Sequence, residues 1–167
     1  MAAALVLGPA GTASSTSGTF PVRVADVTVG HRRGQPVDVH AGFAQLPGSG
    51  DLWPTVGDLV RPNQASRGGH LLRPHVAGQL WTPHAQVGPA PAPHGPVVVD
   101  AYGYGTFLVR VAGPAARTNP GDNPGYPSLL THLPAVDVDL AVPRHEDAPS
   151  VDAALAQLTA LPEAPRD

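Results

Sequence analysis

The sequence predicts an all-β domain, an antiparallel sandwich or barrel, with one short C-terminal helix. Three observations lead there. Apolar residues alternate with polar ones in Val37, Val39, Ala41 and Phe43 and again in Val136, Val138, Leu140 and Val142, the period of a half-buried strand. Continuous apolar runs occur at Val97–Val99 and Thr106–Val109, as in strands covered on both faces. Finally, 21 Pro and 19 Gly punctuate the chain, and helical periodicity is confined to its end.

The elements follow in order. Residues 1–18 are read as an N-terminal arm, small and polar from Pro9 to Thr19 and flexible by composition. A β-domain is expected over 19–143 and a C-terminal extension over 144–167. Phe20, Val22 and Val24 begin a strand whose phase slips near Ala25–Asp26, where a bulge is expected. Gly30 to Gly34 makes a turn, completing a hairpin over 20–46. From 47 to 95 no helical period is visible, and short strands with long turns are expected. Tyr102–Gly105 offers a bend between two strands. The repeat Asn119-Pro120-Gly121 and Asn123-Pro124-Gly125 predicts a rigid double-turn loop. The strand 136–142 should carry Asp137 and Asp139 on an acidic outer face. Ser150 can cap a helix over 151–161, which Pro162 ends and which places Val151, Leu155 and Leu158 on one face.

Composition narrows the function classes. The 167 residues suit one domain, and a core built mostly of Ala, Val and Leu is light. All ten basic residues are Arg; Lys and Ile are absent, as is Cys. A GC-rich genome explains this bias and some of the eight His. Net charge is −3, and without a basic stripe no nucleic-acid partner is expected. The apolar start is too short to cross a bilayer, so no membrane partner is expected either. With no thiolate there is no cysteine metal site or nucleophile.

Candidate chemistry is sparse. His70, His75, His84 and His94 form an alternative metal cluster, imidazole being a good zinc ligand, although their spacing is irregular. Gly48-Ser49-Gly50 lacks the nucleophile elbow. Ser128, His132 and Asp137 are too local for an assembled triad, and Asp38 with His40 has no readable cleft. Gly103-x-Gly105 lacks the rest of a phosphate loop. No catalytic residue, metal or cofactor is assigned.

Trp53-Pro-Thr-Val-Gly-Asp-Leu-Val-Arg-Pro62, Gly69-His70-Leu71-Leu72 and Ala77-Gly78 with Trp81 together resemble small β-modules of phage virion proteins and of chitin-binding modules. The aromatic expected near Leu71 or Leu72 is missing, which counts against glycan stacking. The resemblance implies a non-enzymatic structural or assembly protein of a virion (capsid decoration, tail or neck), made in the host cytoplasm, that binds neighbouring subunits as a homo-oligomer. Its expected interface residues are Thr12, Ser14, Ser15 and Phe20 in the arm. Tyr102, Tyr104 and Tyr126 would be aromatic anchors, and Val151, Leu155 and Leu158 the helix face. The alternatives are a carbohydrate-binding module using Trp53 and Trp81, a metal-dependent enzyme using the four histidines, or a cytoplasmic or secreted soluble protein.

Overall fold

The computed structural model describes residues 6–12, 14–17, 27–37, 50, 52–91 and 97–146. The elements in chain order are β1 (Thr16–Ser17), β2 (His31–Arg32), β3 (Gln35–Pro36), β4 (Leu52–Trp53), α1 (Val56–Arg67), α2 (Pro74–Leu80), β5 (Ala85–Pro91), β6 (Val97–Tyr102), β7 (Phe107–Val111), β8 (Ala115–Asn123), β9 (Tyr126–Leu133) and β10 (Val138–Pro143). The architecture is mainly antiparallel β, as expected, with two helices that the sequence reading did not anticipate. The expected helix over 151–161, the bulge at Ala25–Asp26 and most of the hairpin 20–46 lie outside the described residues. The chain divides into two compact units. One comprises residues 1–74, 121–128 and 143–148, the other 75–120, 129–142 and 149–167.

In the first unit, Arg33 and Gly34 close the β2–β3 hairpin with φ of 53° and 74°. This two-residue turn with both central φ positive matches the twist of antiparallel strands and falls inside the predicted turn. β1 pairs with β4 in the register Thr16↔Trp53. Tyr126 organises the neighbourhood. Its ring meets Trp53 edge-on at 5.3 Å, its hydroxyl accepts from Gly30 N at 2.7 Å and donates to Thr28 O at 3.0 Å. Gly30 must stay a glycine, since a Cβ there would lie 2.5 Å from the Tyr126 ring.

Helix α1 corrects the expectation of short strands over 47–95. Its sequence contains Gly57 and Pro62, and its one buried residue is Asp58, so there is no apolar stripe to read. Polar contacts fix it instead. Thr55 caps the N-terminus, its hydroxyl accepting from Asp58 N at 3.2 Å, which satisfies one of the orphan donors of the first turn. The Asp58 carboxylate, 3% exposed as a residue, accepts from Ser14 N at 2.9 Å, Ser15 Oγ at 3.0 Å and Arg61 Nη1 at 2.8 Å. A buried carboxylate survives when its lone pairs are filled in this way. Helix α2 begins at Pro74, where a missing N–H costs no helical bond, and buries Ala77.

The second unit contains the core. Strands β5 to β10 form one six-stranded sheet in sequential order, with β5 and β10 at its edges. Val97↔Val111, Val99↔Val109 and Val109↔Ala116 are paired across β6, β7 and β8. Val97, Val109, Val111 and Ala116 make the buried cluster with Leu129 and Leu133, and against it Val99, Phe107, Val136, Leu140 and Val142 pack. The predicted strands are therefore present at 97–99, from Phe107 in place of 106, and from Val138 in place of 136, where Val136 and Asp137 belong to the preceding turn; the bend at Tyr102–Gly105 is present too. The double-turn loop is not. β8 runs through Asn119-Pro120-Gly121, and only Pro124–Gly125 turns, with Gly125 at φ 75°. Pairing of β7 with β8 extends from Arg110↔Ala115 to Phe107↔Thr118, so Pro120 lies beyond that ladder and its missing donor is tolerated there. The acidic outer face is also corrected. Asp139 is turned inward, its side chain 4% exposed, with Oδ1 at 3.1 Å from His132 Nδ1.

Replacing Asp58 with Ala should strand Ser14 N and Ser15 Oγ and cost about 2–3 kcal/mol, the range for hydrogen bonds to a charged group. Urea unfolding reads this directly; an unchanged midpoint would show that Asp58 does not anchor α1.

Candidate functional site

A hydrogen-bonded cluster of side chains lies where β7 leaves β8. The chain between β6 and β7 is pinched there. Gly103 N donates to Thr106 O at 2.9 Å, and a Cβ on Gly103 would lie 2.2 Å from Leu80 O, so only glycine permits this approach. Gly105 follows at φ 77°. Thr106, 3% exposed, donates from Oγ1 to Asn119 Oδ1 at 3.0 Å and lies 3.3 Å from Thr118 O. Asn119 Nδ2 donates in turn to Gly105 O. Beneath them Thr118 Oγ1 lies 2.9 Å from Thr131 Oγ1, and Thr131 is fully buried.

This corner is polar but carries no formal charge. Thr106, Thr118, Thr131 and Asn119 supply hydroxyl and amide groups, which recognise carbonyls and amides by hydrogen bonding. A hydroxyl becomes a nucleophile beside a general base, and none of these four residues is one. These four residues therefore do not themselves start covalent chemistry, and their hydrogen bonds hold the corner together.

The expected site residues are dispersed. Thr12 is buried, with Oγ1 donating to Leu7 O at 2.8 Å, and Ser14 and Ser15 meet Asp58. Tyr102 meets Phe107 edge-on at 4.7 Å in the sheet. Tyr104 is exposed and stacks on His84 at 3.9 Å. Tyr126 holds the first unit. Phe20, Val151, Leu155, Leu158 and His94 lie outside the described residues. His70 follows α1, His75 lies in α2, and His84 Nε2 is 2.9 Å from Gln79 O. Among the described residues no three metal-ligating side chains converge, and no helix is long and apolar enough to cross a membrane. Of the corner's residues, the sequence reading places Thr106 in a strand and Asn119 at the start of the predicted double-turn loop, and it singles out neither Thr118 nor Thr131.

The electrostatic feature of the sheet is Asp100 with Arg110. Arg110 Nε and Nη2 each donate at 2.9 Å to one carboxylate oxygen, a planar bidentate pair. Arg110's hydrogen bond, with its charge adding to it, holds the Asp100 carboxyl below its usual range. The same partner raises the Arg110 guanidinium.

Comparison with known proteins gives the fold. No family model and no curated protein matches the sequence. Solved structures do match. A penicillin-binding protein from Bacillus halodurans superposes with a TM-score of 0.75 at 19% identity, over 95% of this chain and 48% of that one. A D-amino acid amidase from Ochrobactrum anthropi, complexed with D-phenylalanine, gives 0.72 at 20% identity, over 95% and 52%. The octameric penicillin-binding protein homologue from Pyrococcus abyssi gives 0.74 at 19% identity, over 93% and 35%. The chain thus spans about half or less of each of these proteins.

These findings overturn the expectation of a non-enzymatic virion assembly protein of the capsid or tail. A light β-core with Pro-rich loops fits many folds, and here the fold is one shared with penicillin-binding proteins and a D-amino acid amidase. The Trp53–Trp81 segment on which the virion resemblance rested contains α1 and α2, not a run of β-strands.

The Asp100 shift gives a pH prediction. A lowered carboxyl contributes stability that is complete above its ordinary value of about 3.9 and is lost as pH falls through the lower folded-state value. Carboxyl NMR should show Asp100 titrating below that ordinary value and returning toward it in Arg110→Gln. An Asp100 that titrates normally in the intact protein would contradict the pairing.

Proposed function

We propose that this chain is the sheet-bearing part of an acyl-transfer enzyme acting on amide bonds, with the Thr106–Asn119 corner orienting the substrate's amide. The observation that carries this is the shared fold over 93–95% of the chain with penicillin-binding proteins and a D-amino acid amidase. One feature of the chain supports it. Asn119 is the exposed member of the corner and carries a second Nδ2–H beside the one it gives to Gly105 O, a neutral donor suited to the carbonyl of an amide or lactam group. The chain contains no Lys, so neither the Ser-x-x-Lys nor the Lys-Thr-Gly element of serine acyl-transfer enzymes of the penicillin-binding class can be written in it, and the reading gives this chain substrate orientation rather than the nucleophile. Self-association is part of the same reading, supported by the octameric homologue.

The test is to incubate the chain alone with benzylpenicillin and with D-phenylalanine. The proposal expects saturable binding of at least one and an unchanged intact mass after penicillin. Asn119→Ala should weaken that binding about tenfold, the equivalent of one good hydrogen bond. Absence of binding to both, or equal binding by Asn119→Ala, would refute the role of the corner.

A further inference from the structure

We propose that Thr106 is a positioning residue that locks the Asn119 side-chain amide as a donor, so that the corner reads a substrate's carbonyl oxygen and takes esters as readily as amides; this extends the orienting role proposed for the corner and depends on it. The orientation of the amide is settled by its neighbours. Gly105 O is a carbonyl and can only accept, so the Asn119 atom that meets it is the nitrogen, which donates there. The oxygen Oδ1 then meets Thr106 Oγ1, which donates to it at 3.0 Å. Turning the amide over would set two acceptors, Oδ1 and Gly105 O, against each other with no proton between them.

Thr106 is held in place for this task. It is 3% exposed, Gly103 N donates to its carbonyl at 2.9 Å, and Gly105 before it takes φ 77°. The hydroxyl has two oxygens within reach, Asn119 Oδ1 at 3.0 Å and Thr118 O at 3.3 Å. Both can only accept, so its proton is directed toward β8 and the polarity of the network is fixed. An amide side chain has one oxygen and two N–H donors. Thr106 engages the oxygen and Gly105 O one donor, which leaves one donor on an exposed residue. Hydrogen bonds in series polarise one another, so donation into Oδ1 strengthens that remaining N–H. Its complement is a carbonyl oxygen, which amides, lactams and esters all present. The N–H that distinguishes an amide from an ester is a donor and finds no partner on Nδ2. Removing the Thr106 hydroxyl would free the amide to rotate and offer Oδ1, and a preference for amides over esters would then arise.

The probes are D-phenylalaninamide, D-phenylalanine methyl ester and 2-phenylethylamine. They share a ring and, at about pH 6, an ammonium charge, and differ at the carbonyl group. NMR titration of the full chain, read at the Asn119 Nδ2 hydrogens, gives each Kd. Amide and ester should bind within about twofold of one another, and 2-phenylethylamine, which has no carbonyl, about tenfold more weakly. Thr106→Val should weaken the ester about threefold more than the amide, and Thr106→Ser should restore near-equal binding. A merely loosened fold would weaken both probes alike. An ester about tenfold weaker than the amide in the intact protein would overturn the proposal, as would an amide-to-ester ratio that Thr106→Val leaves unchanged. Both outcomes leave the orienting corner standing. Failure of all three probes to bind, or equal binding of 2-phenylethylamine, would remove the corner's role and this proposal with it. The amide–ester comparison in the intact protein needs no variant, so it decides even if Thr106→Val fails to fold.

Discussion

One register constraint organises the sheet: the single extra residue, Asp100, between Val99↔Val109 and Ala101↔Leu108 in the pairing of β6 with β7. Before it, Val97 and Val99 share the buried face with Val111 and Val109. Without a bulge, strict alternation would carry Tyr102 to the opposite face. With it, Tyr102 stands opposite Phe107, with the rings 4.7 Å apart, and Phe107 in turn stands opposite Thr118. A bulge thus changes the phase of a strand while preserving its core face. It also leaves Asp100 free of a cross-strand partner, and Arg110 takes it. The polar corner lies beside this register, with Thr118 on the buried side of β8 and Asn119 on its exposed side.

The parts of the fold that follow period two could be read from the sequence. Val97–Val99, Phe107–Val109 and Val138–Val142 show alternation or apolar runs and became β6, β7 and β10. Arg33–Gly34 became the tight turn that its flanking residues indicated. Helix α1 could not be read this way, because what it buries is a carboxylate rather than a stripe of apolar side chains. Its partners, Ser14 and Ser15, lie more than forty positions away, a separation that local pattern does not encode. The inward turn of Asp139 was illegible for a similar reason. Alternation assigned it to a face, but its burial depends on the His132 imidazole of the preceding strand. Asn119-Pro120-Gly121 reads locally as a turn. The strand survives because β7 has already ended its pairing there, a fact of tertiary register.

The functional conclusion came from the fold, not from a motif. Its chemistry is consistent with the composition once the absence of Lys is taken seriously. On the proposed reading, a chain without that residue would position an amide through Asn119, but it cannot generate a nucleophile by the serine–lysine route. Fold and chemistry separate in this way because substrate orientation relies on backbone register and neutral hydrogen bonds, whereas bond cleavage needs a few specific titratable groups. The corner has neutral hydrogen-bonding groups in Thr106, Thr118 and Asn119.

The most direct measurement is an amide-resolved NMR titration of the chain with benzylpenicillin, read at Gly105, Thr106, Thr118 and Asn119. The account predicts saturable shifts concentrated at these residues, reversed when the ligand is removed by dialysis. Shifts that avoid the corner, or a permanent covalent adduct on this chain, would contradict it.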